Sequence, residues 1–559
     1  MNFRYRATLI CLIFGFLLVI GKLFYWQVVR AEELSTMGQS QYGTNIRLLP
    51  ERGEIKTSDG FSIAANRLSY LVFANPKEIK DIDYTSDRLA KLLEIDSASV
   101  SAALSQNRFW VPIKPNVDNK TKEVVEKLKL PGVGFEEQYV RFYPEASLAA
   151  QLIGFVGKDD AGEDKGYFGL EGYYQRQLKG KVGIATQIHD AFGRPILAEI
   201  NNNSSEIDGR TLNLTIDRTI QYILEKKLKY GIESYQAVSG MAAVMDPKTG
   251  NILAMASFPS FDQRSFIDYD SSLYRNPFIS NFFEPGSTFK ALIMAAAIDA
   301  GVVKPETKCP ICAGPVELGG YTIKTWNNEY RKNINMIDTI QHSDNTGMVY
   351  VSQKLGLARM LSYIKKFGIG ELTGIDLQGE AVPTIRDADS WYPIDVATAS
   401  FGQGISVTPI ELLTGFASLA NEGRRMEPHV VASIQKPDGS LIKIPPKIIE
   451  NTVSPKTAKV MTEILVNAVD KGEAKFAKPK GYRVAGKTGT AQIPIAGHYD
   501  ANKTIASFIG FAPADDPKFA MLVIIDRPTT SIYGAETAAP IFFSIAKDIL
   551  MYYKIPPTE

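Results

Sequence analysis

Ser287 and Lys290 stand three residues apart in "EPGSTFKALIM", directly after Pro285 and Gly286. A serine hydroxyl is a weak nucleophile and needs a base, and a lysine serves as one only when neutral. Burial or a second cation nearby would make it so. Pro-Gly ends a loop, and "STFKALIMAAAIDAG" reads as an apolar helix, so the spacing puts both side chains on one helix face. Backbone N–H groups in that first turn lack helical partners and can serve a developing anion. The bland alternative is that Ser287 is an N-cap and nothing more.

The Ser-x-x-Lys spacing is weak evidence by itself. It occurs five times, at Ser287, Ser362, Ser433, Ser440 and Ser544. Ser362 and Ser544 lie inside helical patterns, and Ser433 and Ser440 flank the surface turn "KPDG". Only Ser287 opens a helix after a loop. Two further motifs follow it. Ser343-Asp344-Asn345 begins an apolar helix in "QHSDNTGMVYVSQKLG", where a capped helix start is the plain reading. Lys487-Thr488-Gly489-Thr490 lies in the strand-like "RVAGKTGTAQI", where a bulge around Gly489 is the plain reading. An earlier Lys-Thr-Gly, residues 248–250, fills a hairpin turn upstream of Ser287. None of the four histidines sits in a recognisable triad motif.

The elements that must bring these motifs together are legible in outline. "GMAAVMDPKTGNILAMASFP" reads as a hairpin around Pro-Lys-Thr-Gly, and "ASFIGFAP" with "KFAMLVIID" as a second hairpin joined by "ADDP". Before the first, "RTLNLTIDRTIQYILEKKLKYGIESY" reads as a strand and an amphipathic helix. A last helix covers residues 538–553. Strands at both ends with helices between predict an α/β domain whose sheet pairs the first and last parts of the segment. Upstream, "LSYLVFANP" alternates like a strand, and "TSDRLAKLLEI" and "KTKEVVEKLKL" have helical spacing. "INNNSSEIDG", residues 200–209, is the best linker.

At 559 residues the chain has room for two or more domains. A net charge of +1 suggests no nucleic-acid partner. No internal repeat is evident. Arg4 and Arg6 precede an apolar run over residues 7–29, interrupted by Lys22 and closed by Phe24, Tyr25 and Trp26. About 20 apolar residues span a bilayer, Lys22 can snorkel, and the aromatic residues suit an interface. The arginines predict a cytoplasmic tail, residues 1–6, and export of the remainder. A cleaved signal peptide is the rival, but the run is long for one and no clear small-x-small site follows.

Order is what decides among these readings. Ser-x-x-Lys, Ser-x-Asn and Lys-Thr-Gly in succession are the trio of penicillin-binding proteins and class A β-lactamases. The chain resembles the class B penicillin-binding proteins, monofunctional peptidoglycan D,D-transpeptidases, along nearly its whole length. "ERGEIKTSDGFSIAAN" and "GLEGYYQRQLKG" carry the resemblance in the non-catalytic part. "FEPGSTFKALIMAAAIDAG", "SFGQGISVTPIELLTGFASLANEG", "KTGTAQ" and "FIGFAPADDPKFAMLVIID" carry it in the catalytic part. Thr57 stands where the family usually has aspartate. "HSDNTGMVYV" and the compact length resemble the division-type branch more than the elongation type.

The resemblance implies a transmembrane signal anchor (7–29), a mixed α+β pedestal of dimerisation type (37–206), and a transpeptidase domain (207–555) of the penicillin-binding/β-lactamase-like fold, a central antiparallel sheet flanked by helices. Ser287 would attack the penultimate D-Ala of a stem peptide, with Lys290 as base. Lys487 would be the second cation, Ser343 the proton relay, and Asn345 a ligand for the substrate amide. Lys487, Thr488 and Thr490 would hold the terminal carboxylate. Gly489 would let the peptide add to the strand edge. The backbone N–H groups of Ser287 and Thr490 would form the oxyanion hole. An amine from a second stem peptide would resolve the acyl-enzyme, and β-lactams would trap it. No cofactor or metal is implied. The expected partners are a SEDS-type glycosyltransferase and division-complex membrane proteins, at a bacterial inner membrane crossed once.

Cys309 and Cys312, in "CPIC", have no histidine pair nearby for zinc, and no thioredoxin-like βαβ pattern surrounds them. Export predicts a local disulfide. Cys11 falls in the apolar run. A β-lactamase would be a shorter secreted domain with a glutamate placed to activate water, and no clear equivalent stands between Ser343 and Lys487. A β-lactam sensor would need cytoplasmic signalling machinery, and an idle scaffold would not need intact motifs.

Overall fold

A computed structural model describes residues 3–188, 201–204, 207–495 and 498–558. Two residues of the expected cytoplasmic tail, Met1 and Asn2, and three of the expected linker, Ile200, Ser205 and Glu206, lie outside the described residues. The chain forms two compact units, Met1–Arg52 with Lys179–Gly209, and Gly53–Leu178 with Arg210–Glu559.

In the first unit a helix, Phe3–Phe24, passes into a π-helical turn, Tyr25–Val29. Together they make a 27-residue segment of mean hydropathy 2.4, long and apolar enough to cross a membrane. The Lys22 ammonium lies 5.5 Å from the Tyr25 ring centre and 5.3 Å from that of Trp26. A cation folded back on aromatic rings is the arrangement an interfacial segment end calls for. A helix, Ala31–Tyr42, and an antiparallel sheet of Gly43–Leu48, Gly183–Ile188 and Asn201–Ser204 complete the unit.

The second unit holds two large sheets. In the first, Thr211–Leu214 pairs in parallel with Ile55–Lys56 and antiparallel with Val431–Gln435. Ile55, Leu212, Leu214 and Ile434 are buried along these strands. Residues expected in the pedestal and residues expected in the catalytic domain therefore share one sheet. Ser62–Ala74 extends it and pairs with Val133–Phe142. Buried Arg141 on the latter strand pairs with Glu171 at 2.7 Å and donates to Gly53 O at 2.8 Å.

The second sheet positions the motifs. Its strands are β1 (Ser239–Met245), β2 (Ile252–Phe258), β3 (Ala485–Ile495), β4 (His498–Ala512) and β5 (Phe519–Asp526). They run antiparallel in the order β2-β1-β5-β4-β3. Both expected hairpins are present, and β1 pairs with β5 as the two-ended strand pattern requires.

The strand period of two sorts the side chains. Ala243 and Met245 on β1, with Ala520, Leu522 and Ile524 on β5, face the helix Pro409–Ala417 and belong to one core with residues of α2 (Lys290–Asp299), α3 (Asn345–Leu355) and α4 (Pro455–Lys471). Ala242 and Val244, with Met521, Val523 and Ile525, pack against α1 (Arg218–Ser234) and α5 (Ala538–Tyr552). Both faces are thus covered, which is why these strands read as continuous apolar runs. Helix α2 is buried on every side from Lys290 to Ala297. Its sequence, apolar all round between its ends, is that of a central helix. Lys290 is its only buried charge.

Candidate active site

Ser287 lies in a 3₁₀ turn, Gly286–Thr288, and the α-helix starts only at Lys290. The sequence pattern placed Ser287 one step further in, within the α-helix. Two features tighten the turn. Gly286 has φ +55°, outside the range of an α-helix, and the Thr288 hydroxyl donates to Pro285 O at 2.6 Å. Ser287 is half-buried, whereas Thr288, Phe289 and Lys290 behind it are buried. The turn therefore presents the serine and hides its neighbours.

The second motif lies between a short helix, Met336–Gln341, and α3. The helix-cap reading holds for its middle residue. Asp344 accepts from the Gly347 N–H at 3.0 Å and from the Thr346 hydroxyl at 2.6 Å. Capping leaves the residues on either side free to turn elsewhere. Ser343 adopts a left-handed φ of +53°, and both it and Asn345 meet Lys290. The Lys290 Nζ lies 2.6 Å from Ser343 O, 3.2 Å from Ser343 Oγ and 2.7 Å from Asn345 Oδ1. Asn345 is itself oriented by donating from Nδ2 to Lys324 O at 2.9 Å.

The third motif lies on β3, the edge strand. Thr488 and Thr490 are half-buried and Lys487 and Gly489 buried, as strand alternation demands. The Lys487 Nζ donates to Ser343 Oγ at 3.0 Å and to Thr488 O at 3.0 Å. One serine hydroxyl is thus shared by two lysines from distant parts of the chain. Thr490 Oγ1 accepts from the Gly534 N–H at 3.0 Å.

Gly489 needs a different explanation from the one its sequence suggests. Pairing is regular through Gly489 and Ser507, and the register breaks only between Gln492 and Ile493, so no bulge sits at Gly489. A Cβ on Gly489 would stand 2.3 Å from Ser507 Oγ and 2.8 Å from Thr288 Cγ2. The missing side chain accommodates the serine turn packed against the strand. Gly286 repeats the theme from the other side, with its Cβ position 3.3 Å from Thr490 O.

The electrostatics follow from burial. Complete burial, and then the Lys487 charge beside it, push Lys290 well below the ordinary lysine range. Burial brings Lys487 down to about 8, with Glu473 opposing the shift. Of the pair, Lys290 is the one driven toward the neutral amine, and Lys487 the one that keeps its proton near neutral pH.

Sequence reading missed several residues around this centre. Trp326 donates from Nε1 to His342 O at 3.3 Å, and its ring meets that of Tyr533 edge-on at 5.6 Å. Tyr533 directly precedes Gly534. The aromatic pair thus links the neighbourhood of Ser343 to that of Thr490. Both rings come from loops, which carry no periodic signal. Glu473, just beyond α4, acts on both lysines only through tertiary placement. His342, next to Ser343, points its Nε2 to within 3.3 Å of Gln341 Nε2. Cys309 and Cys312 are disulfide-bonded and fully buried. The Cys309 N–H donates to Ile334 O at 2.8 Å, closing the loop that carries Trp326.

A presented serine, an amine biased toward neutrality, a hydroxyl shared by two lysines and a sheet-edge strand can together carry out acyl transfer through a serine ester. The fold and site are those of an active-site-serine acyltransferase. The model of the penicillin binding protein transpeptidase domain matches residues 240–550, and that of the penicillin-binding protein dimerisation domain residues 47–214. The chain is 34% identical to "Stage V sporulation protein D" of Bacillus subtilis, over 99% of this chain and 87% of that protein. It is 29% identical to "Peptidoglycan D,D-transpeptidase FtsI" of Escherichia coli, over 100% of this chain and 93% of that one. A crystal structure of a peptidoglycan synthetase from Bifidobacterium adolescentis superposes with a TM-score of 0.75 at 25% identity, covering 92% of this chain and 98% of the other. The chain belongs to the penicillin-binding protein transpeptidase family.

Proposed function

We propose that this chain is a membrane-anchored peptidoglycan D,D-transpeptidase that cross-links stem peptides through an acyl-enzyme on Ser287. The observation that carries the reading is the convergence of Lys290 and Lys487 on Ser343 Oγ, at 3.2 and 3.0 Å. Neutral Lys290 takes the Ser287 proton as the hydroxyl attacks the penultimate D-Ala carbonyl. The oxyanion is held by the backbone N–H groups of Ser287 and Thr490, each worth about 3–4 kcal/mol. Ser343 accepts from Lys487, so its own proton is free to pass to the departing D-Ala amine, and Lys290 replaces it. Asn345 bonds the donor amide, and Lys487, Thr488 and Thr490 bind the terminal carboxylate. An acceptor amine then attacks the ester by the reverse proton path. β-Lactams, which present the same acyl and carboxylate groups, acylate Ser287.

The pedestal is the non-catalytic part, residues 37–206, with the catalytic domain at residues 207–555. The N-terminal segment anchors the protein in the inner membrane with its arginines cytoplasmic and the catalytic domain outside. Septal wall synthesis, beside a SEDS-type glycosyltransferase and division-complex membrane proteins, is the setting that the "HSDNTGMVYV" resemblance supports. Similarity to a protein named for stage V of sporulation supports a second setting for the same chemistry, wall synthesis in a developing spore. Mass spectrometry after exposure to a labelled penicillin tests the chemistry. The adduct belongs on the peptide containing Ser287, with turnover of a D-Ala-D-Ala thioester beside it. An adduct elsewhere, or none, refutes the assignment. Fluorescence localisation through vegetative growth and sporulation separates the two settings.

A further inference from the structure

The serine turn is held from two sides. Edge strand β3 packs on one side, through Gly489 against Thr288. On the other side lies the segment that follows the helix Pro393–Ala399, residues 400–407 of "SFGQGISV". Phe283 and Val407 exchange both backbone hydrogen bonds at 3.0 Å. The Gly286 N–H, one residue before Ser287, donates to Gly402 O at 3.0 Å. Gly402 has φ +83°, and a Cβ there would stand 2.1 Å from Gly286 O. Backbone therefore lies on backbone with no room between, and the place of the Ser287 hydroxyl depends on where the residue 402–404 turn sits.

One side chain ties that turn to the serine segment. Glu284 Oε1 accepts from the Gly404 N–H at 3.0 Å. Gly404 is exposed and has φ +71°. The Gly402 and Gln403 N–H groups donate to Ala399 O at 3.0 Å and Thr398 O at 3.1 Å, so the Glu284 bond adds the tie at the exposed end of the turn. Glu284 is half-buried and stands three residues before Ser287.

The geometry points to Glu284 as a positioning residue: its carboxylate latches the residue 402–404 turn onto the serine turn, so that Ser287 is held in line with its electrophile. This rests on the reading of Ser287 as the acylated residue. Reactive geometry is steep, and a shift of about 1 Å costs about 100-fold in rate. The latch contributes to the acylation step more than to initial binding, because the Glu284–Gly404 bond holds the segment that carries Ser287.

The test uses the full chain in detergent with a labelled penicillin, resolving the initial dissociation constant from the acylation rate constant. Wild-type protein is examined first, because absence of a Ser287 adduct there defeats the functional reading and not the latch. Given that adduct, Glu284→Ala is expected to lower the acylation rate constant by about 10- to 100-fold while leaving the dissociation constant within about threefold. Glu284→Gln, which keeps an oxygen acceptor for the Gly404 N–H, is expected to restore the rate to within about threefold of wild type. Acylation of Glu284→Ala at the wild-type rate overturns the latch. So does an equal fall in both variants, which would make the charge and not the hydrogen bond the active feature. A lowered melting temperature in Glu284→Ala that accounts for the lost rate as loss of folded protein overturns it too.

Discussion

The Lys487 ammonium lies 3.0 Å from the hydroxyl of Ser343, and the Lys290 Nζ lies 3.2 Å from the same oxygen. The two lysines are almost two hundred residues apart in the chain and come from a central helix and an edge strand. Their common acceptor makes each one's protonation the other's concern, and the chemistry depends on that coupling.

Acylation should follow a bell-shaped pH profile. The rising limb marks Lys290, held below the ordinary lysine range by burial and by Lys487. The falling limb marks loss of the Lys487 proton at about 8, since in the proposed mechanism that charge both anchors the substrate carboxylate and keeps Lys290 neutral. Glu473 stabilises protonated Lys487, so Glu473→Gln should move the falling limb to lower pH. Penicillin acylation rates over a pH series read both limbs. A profile still rising well beyond pH 8 contradicts the assignment.

Lys290→Met and Ser343→Ala should not add. Each breaks one proton path, and a general acid–base group contributes about 100- to 10,000-fold. Lys290→Met is expected to remove nearly all acylation, Ser343→Ala to slow it about 100-fold, and the double variant to match Lys290→Met. A double variant slower than Lys290→Met by the full Ser343→Ala factor would mean two independent functions.

Gly489→Ala should block acylation for a packing reason. Its methyl group would meet Thr288 Cγ2 at 2.8 Å and Ser507 Oγ at 2.3 Å, pushing the serine turn off β3. If so, adding Thr288→Ser and Ser507→Gly to Gly489→Ala recovers part of the rate. A substrate-clash origin predicts no recovery.

Between about pH 4.5 and 7, two buried glutamates should make stability fall as pH rises. Glu225 and Glu411 are raised by burial from 4.5 to about 6 and about 7. The folded chain keeps these protons where the unfolded chain has lost them. Their contribution is full below about 4.5 and disappears by about pH 7. In Glu225→Gln the amide oxygen can still accept from the Ala149 N–H and from Gln221, as Glu225 Oε1 does now. That variant should lose about 2 kcal/mol of the pH dependence, read as a flatter melting temperature against pH. An unchanged slope would place the titration elsewhere.

Replacing Cys309 and Cys312 by serine should matter little to chemistry. They stand three residues apart, and a loop that short is worth about 2 kcal/mol in chain entropy. The acylation rate is expected to stay within about threefold, with a modest drop in melting temperature. A large loss of rate would show that the staple positions the neighbourhood of Trp326.

Much of the molecule was legible from local pattern. The hairpin strands, the apolar helix after Ser287 and the last helix follow from the period of their apolar residues, and backbone hydrogen bonding enforces those periods. The 3₁₀ turn at Ser287 was not legible, because it depends on the φ of Gly286 and on the Thr288–Pro285 bond. Nor was the reason for Gly489, whose neighbour Thr288 lies about two hundred residues earlier. Trp326, Tyr533, Glu473 and Glu284 are set by loops and their ends, where sequence pattern carries least information.

The sequence by itself determined the order of three motifs, the period of each element that bears them, and the apolar N-terminal segment. Those are properties of residue type and short-range spacing. Tertiary structure alone supplies the cause by which Lys290 is driven toward neutrality and Lys487 keeps its charge, a division the family resemblance had implied. That division comes from complete burial and from two charges sharing one hydroxyl, and both exist only once the central helix and the edge strand are packed together.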